Sequence, residues 1–185
     1  MHEYAHAWTA YKLGDPTAKA YGRLTLNPLK HIDPIGLLAL FVFKIGWAKP
    51  VPVNYGYLLQ KGLKAPLRVV LAGPLSNVFL SVLGAVLSFI FPQLAGWFMT
   101  FSLMNLFLGF FNLLPIPPLD GGRVLEILSL KYRGLRPVVE FLARYYLIFL
   151  IIFMATPLFS IFSAFVYKVF LVLLYLIILI LEIFV

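Results

Sequence analysis

Long apolar runs separated by short basic or proline-rich stretches set the pattern of this chain. Residues 67–91 (LRVVLAGPLSNVFLSVLGAVLSFIF) stay apolar for longer than the about 20 residues that a membrane-spanning helix needs. Pro92-Gln93 makes a tight, uncharged turn, and residues 94 to about 114 return as a second span. Residues 138–156 and about 160–181 read as two further spans, broken apart by Thr156-Pro157. Pro74 is expected to kink the first span, and Gly73, Ser76 and Asn77 form a small polar notch on it. In lipid such groups usually face protein, so helix packing accounts for them. Lys168 interrupts the last run, either snorkelling to the headgroups or facing protein. The run 35–47 (IGLLALFVFKIGW) is too short to span and is broken by Lys44, which makes it a re-entrant or interfacial segment. The pattern predicts an all-α fold: a polytopic transmembrane helical bundle, one membrane-embedded domain over residues 1–185. Its motif-bearing part ends near residue 124, and C-terminal spans fill 125–185.

The remaining stretches are polar or irregular. Residues 2 to about 13 read as a helix that Gly14-Asp15-Pro16 ends. Residues 15–34 are turn-rich, and Asn27-Pro28 and Asp33-Pro34 forbid a long helix there. His31 lies in this loop, where a histidine without a spaced partner more often hydrogen-bonds than ligates a metal. Residues 49–54 (KPVPVN) are extended by their proline spacing, as a stiff connector or as an edge able to pair with another extended chain. Near the end of the second span, Pro115, Pro117 and Pro118 cannot continue a regular helix. Irregular backbone at membrane depth survives when buried in protein or lining a wet cavity. Asp120, followed by Gly121-Gly122, then reads as a ligand held on an unwound segment, or as a plain helix terminus with a Gly-Gly turn.

Composition agrees with the pattern. Hydrophobic residues make up 62% and charged residues 12%, against about 25% charged in a soluble domain. The net charge of +8 would suggest nucleic acid in a soluble protein. Here the lysines and arginines sit in loops between apolar runs, where they set topology and meet anionic lipid, so no nucleic-acid partner is expected. Loops 15–34, 48–68 and 123–136 carry these bases and are assigned to the cytoplasmic side, opposite Pro92-Gln93. The chain has no cysteine, which excludes disulfides.

The chemistry concentrates at His2-Glu3-Tyr4-Ala5-His6, which reads H-E-x-x-H. Residues i and i+4 share a helix face, so His2 and His6 can offer two imidazole nitrogens to one metal. Glu3 stands beside them without having to ligate, and can take a proton from the attacking water. Zinc is the metal this arrangement most often implies, and a catalytic zinc wants about three protein ligands and an open position. Five residues are a small pattern, but only three histidines occur in the chain and two of them fall here at the required spacing.

Five stretches, HEYAH, GRLTLNPLKHIDPIG, GWAKPVPVN, LAGPLSN and FNLLPIPPLDGGRV, run in this order from residue 2 to about 124. In them the chain resembles the site-2 protease family of intramembrane zinc metalloproteases, in its compact bacterial or archaeal form. Residues 125–185 match only in being apolar. The resemblance implies that His2, His6 and Asp120 ligate one zinc ion and that Glu3 is the catalytic base. It also implies that Asn77 and Asn112 lie near the active site, as substrate-binding residues. The expected activity is zinc-dependent cleavage of peptide bonds in or near transmembrane segments of membrane proteins. The expected setting is a prokaryotic cell membrane, with the site toward the cytoplasm. The alternative is a non-proteolytic membrane zinc-binding or substrate-binding scaffold; a metal transporter fits the hydrolytic residue set less well. In the family H-E-x-x-H lies within a membrane helix, whereas here only Met1 precedes it. A helix over 2–13 is about 18 Å long against a hydrocarbon core of about 30 Å, so the working enzyme is expected to carry a further span upstream.

Overall fold

The computed structural model describes residues 1–43, 46 and 48–183. Among the described residues the helices are α1 (His2–Lys12), α2 (Thr17–Ala20), α3 (Pro34–Phe43), α4 (Tyr55–Gln60), α5 (Lys64–Ile90), α6 (Ala95–Asn112), α7 (Asp120–Lys131), α8 (Arg136–Ala155) and α9 (Pro157–Ile183). No strand occurs among them, and Ile32 and Ala48 form an isolated antiparallel bridge. The all-α expectation holds. Four helical stretches are long and apolar enough to cross a membrane: Lys64–Ile90, Pro92–Asn112, Arg133–Ala155 and Pro157–Ile183. They coincide with the four spans read from the apolar runs. The short apolar run becomes α3, about 15 Å long at 1.5 Å per residue, too short to span. Lys44, Ile45 and Trp47, at the end of that run, lie outside the described residues.

One expectation shifts. Residues 123–136 read as a basic loop, but most of them belong to α7. Val124, Leu125, Ile127 and Leu128 recur at helical spacing, and Arg123 pairs with Glu126 at 2.7 Å one turn on. α5 includes Pro74 within its helical range, and helical dihedrals break at Tyr145 within α8 (φ −117°, ψ 15°).

The chain forms two compact units, Met1–Gly73 and Pro74–Val185, with the boundary inside α5. In the first, α1 presents the small residues Ala7 and Ala10, both fully buried. Ala10 packs with Leu58, Ala65 and Val69, joining α1 to α4 and the start of α5. Two residues past α1, Gly14 has a φ of +89°, which strains any residue with a side chain. A Cβ there would also stand 2.8 Å from the Tyr57 hydroxyl and 2.9 Å from Lys61 Nζ.

In the second unit the helices approach closely through small and polar residues. Ser102 Oγ donates to the Ser81 carbonyl at 2.6 Å, linking α6 to α5. Gly109 lies where a Cβ would stand 3.2 Å from the Pro74 carbonyl oxygen and 3.3 Å from Asn77 Cβ. Lipid gives helices no hydrophobic reason to associate, so close packing and buried hydrogen bonds hold them. Leu106 of α6 packs with Val166 and Phe170 of α9, beside edge-to-face contacts of Phe107 with Phe159 and Phe162.

Candidate metal centre

The metal centre starts from the first two turns of α1. His2 and His6 project from the same face, and their Nε2 atoms are 3.0 Å apart. The rings meet edge to face at 80°, so both nitrogens converge on one point instead of stacking. Two nitrogens at about 2.0–2.1 Å from a tetrahedral zinc stand about 3.3 Å apart, close to the observed spacing.

His6 is oriented from outside its own helix. Its Nδ1 lies 2.7 Å from the Val69 carbonyl oxygen on α5. A carbonyl can only accept, so Nδ1 carries the proton and Nε2 presents its lone pair. Such a second hydrogen bond fixes the tautomer and ring angle of a metal-binding histidine. His6 is 7% exposed, so this orientation is set inside the protein.

One turn beyond Val69, Gly73 faces the same imidazoles. A Cβ added there would stand 2.6 Å from His2 Nε2 and would collide with His6 Nε2. The missing side chain leaves a cradle over the two nitrogens that any other residue would fill. Two converging imidazoles, a fixed tautomer and this cradle fit a zinc ion. Sequence reading placed Gly73 in a packing notch. Its role could have been inferred only from the Val69–Gly73 spacing together with the fold.

Glu3 sits on the turn between the histidines, and its Oε2 accepts a hydrogen bond from the Val51 N–H at 2.9 Å. Thus His2, Glu3 and His6 come together within the first unit, with the extended segment 49–54 against the carboxylate. His31 hydrogen-bonds, as expected: its Nε2 lies 2.9 Å from the Thr25 carbonyl oxygen.

The other candidate residues belong to the second unit. Asp120 is the half-buried first residue of α7, entered from Leu119 in an extended conformation. The glycines after it are required by close approach. A Cβ at Gly121 would collide with the Leu113 and Leu114 carbonyl oxygens, and one at Gly122 would stand 2.7 Å from the Ile116 carbonyl carbon. The proline-broken stretch therefore folds back over the start of α7 and fixes the backbone that carries Asp120. Asn77 is buried beside Gly109, and Asn112 Nδ2 donates to the Leu108 carbonyl at 2.9 Å on its own helix. Both amides thus have structural surroundings in that unit.

The profile of peptidase family M50 matches residues 91–156. YwhC of Bacillus subtilis, provisionally named a zinc metalloprotease, is 42% identical over 173 residues, covering 86% of this chain and 77% of that protein. Rip2 of Mycolicibacterium smegmatis, with the same provisional name, is 37% identical over 143 residues, covering 68% of this chain and 52% of its own. Stage IV sporulation protein FB of Bacillus subtilis is 31% identical over 143 residues, covering 71% and 48%. The chain thus spans three quarters of the first relative and about half of the other two. No solved structure matches it. A polytopic helical membrane protein with an H-E-x-x-H helix belongs among the membrane metalloproteases. By its similarity to YwhC, the chain is a member of peptidase family M50, the site-2 protease family of intramembrane zinc metalloproteases.

Proposed function

We propose that this chain is a zinc endopeptidase that hydrolyses peptide bonds in or near transmembrane segments of membrane proteins. The observation that carries the reading is the His2–His6 pair, its Nε2 atoms 3.0 Å apart under Gly73, with Glu3 beside it. His2 and His6 supply two ligands. Asp120 supplies the third; the proline-broken motif that holds it and the family resemblance support this assignment. When bound, zinc supplies Lewis acidity for a water and for the scissile carbonyl.

The chain's own groups do the rest. Glu3 accepts the proton of the attacking water and delivers it to the leaving amine. The Val51 N–H holds one carboxylate oxygen and so limits how far Glu3 can swing. Segment 49–54 carries two prolines, stays extended, and offers an edge along which an unwound substrate strand can pair. Asn77 and Asn112 are the proposed substrate-contacting amides. The Lys/Arg-bearing loops favour a cytoplasmic site in a prokaryotic cell membrane. No observation among the described residues specifically favours a non-proteolytic scaffold.

The test is cleavage of a reconstituted membrane substrate by wild type beside Glu3→Gln, with zinc measured in both. In the full-length protein, Glu3→Gln should keep its zinc and lose activity by at least about a thousandfold relative to wild type. Full activity in Glu3→Gln would sink the mechanism.

A further inference from the structure

Asp15 and Arg23 lie in a stretch whose charges read as turn formers and topology signals, yet they are 1% and 8% exposed. Both direct their charge at the backbone of one extended segment. Arg23 Nη2 donates to the Lys49 carbonyl at 2.6 Å. Asp15 Oδ2 accepts from the Asn54 N–H at 2.7 Å, while Oδ1 accepts from the Thr17 N–H at 3.0 Å and from the Thr17 hydroxyl. His31 adds to the first end: its carbonyl accepts from the Lys49 N–H at 2.9 Å, and its ring is held by the Thr25 carbonyl.

Lys49 and Asn54 are thus fixed at opposite ends by charge-assisted hydrogen bonds, the stronger class. Between them Pro50 and Pro52 carry no N–H, so the segment has few donors with which to fix itself. One of the donors that remain, Val51 N–H, is the group that meets Glu3 Oε2. Burying two charges is a poor way to gain stability alone, because desolvation offsets much of the attraction. Holding a donor on a catalytic carboxylate is a task that justifies it.

We propose that Asp15 and Arg23 are positioning residues for the hydrolysis, clamping the two ends of residues 49–54 so that the Val51 N–H fixes the Glu3 carboxylate. This rests on the reading of Glu3 as the base. Neither residue touches the substrate; both act through the Lys49–Asn54 backbone.

The experiment uses the full chain, purified in detergent and loaded with zinc, as Arg23→Ala, Arg23→Lys and Asp15→Asn. Three quantities are read: zinc content, amide hydrogen exchange over residues 49–54, and kcat separately from KM on a reconstituted membrane substrate. Arg23→Ala should keep its zinc, exchange the Val51 and Val53 amides about tenfold faster, and lose about 10- to 100-fold in kcat with a smaller change in KM. Arg23→Lys should recover most of both, since an ammonium can donate to the same carbonyl. Asp15→Asn keeps the side-chain volume but removes an acceptor, and should loosen the Asn54 end in the same way; it decides the matter if Arg23→Ala fails to fold. Exchange and kcat both at wild-type values in Arg23→Ala or Asp15→Asn would overturn the clamp, as would faster exchange with kcat unchanged. Zinc-loaded full-length wild-type protein that cleaves nothing sinks the protease reading instead. Cleavage by wild type with an indifferent Arg23→Ala sinks only the clamp.

Discussion

Replacing Gly73 by alanine tests the metal centre without touching a ligand. The added Cβ would stand 2.6 Å from His2 Nε2 and closer to His6 Nε2. Non-bonded contacts settle at about 3.5 Å, so each imidazole must retreat by roughly 1 Å. His6 cannot retreat freely, because its Nδ1 is tied to the Val69 carbonyl at 2.7 Å. Metal–ligand distances tolerate only about 0.2 Å. Disturbing a group that merely orients a ligand costs about 10- to 100-fold in metal affinity. Displacing two ligands should therefore cost at least about 100-fold, or ~2.7 kcal/mol. The assay is equilibrium competition for zinc between the purified protein and a chelator of known affinity, with helicity as the control for folding. Gly96→Ala is the matched control, since a Cβ there meets nothing within 4 Å, and it should bind zinc like wild type. A folded Gly73→Ala protein with wild-type zinc affinity would refute the cradle, and with it the convergence of His2 and His6 on one ion.

Further expectations follow from the rest of the chain. Asp120→Ala should lose zinc as His6→Ala does, measured as metal per purified chain; an Asp120→Ala protein that retains zinc removes Asp120 from the ligand set. Single cysteines at positions 61 and 93, introduced into this cysteine-free chain, should be labelled by an impermeant reagent from opposite sides of the membrane, 61 from the cytoplasmic side. Labelling of position 61 from outside would refute the cytoplasmic assignment.

What the sequence revealed follows physical lines. The spans were legible because a helix in lipid must be apolar along its whole length, so α5, α6, α8 and α9 announce themselves. His2, Glu3 and His6 were legible because ligation by one helix needs only local spacing. α7 was not, since Gly121-Gly122 and the following bases resemble a turn. Only the fold shows that Gly121 gives way to the Leu113 and Leu114 carbonyls and Gly122 to the Ile116–Pro117 backbone. Gly73, Asp15 and Arg23 were missed for a shared reason. Their partners lie far along the chain: His6 for Gly73, Asn54 for Asp15, and Lys49 for Arg23. No local pattern encodes such pairs, and a charged residue in a basic loop reads as solvated until its burial is seen.

Val69 and Gly73 stand four residues apart on α5, one orienting His6 and the other making room over both histidines. They share a face because the helix turns by about 100° per residue. This phase relation makes the H-E-x-x-H helix dependent on a second helix for its chemistry. A residue inserted into α5 between positions 69 and 73 would rotate everything after it by about 100° and swing a side chain into the cradle. The same insertion in the middle of α9, where Val166 and Phe170 pack with Leu106, would disturb packing alone. Transplanting the first thirteen residues to another scaffold would likewise carry over two histidines and a glutamate, but not the carbonyl and the gap that make them a metal site. Variation in this part of α5 should therefore appear as substitution at faces away from α1, with the spacing from Val69 to Gly73 kept intact.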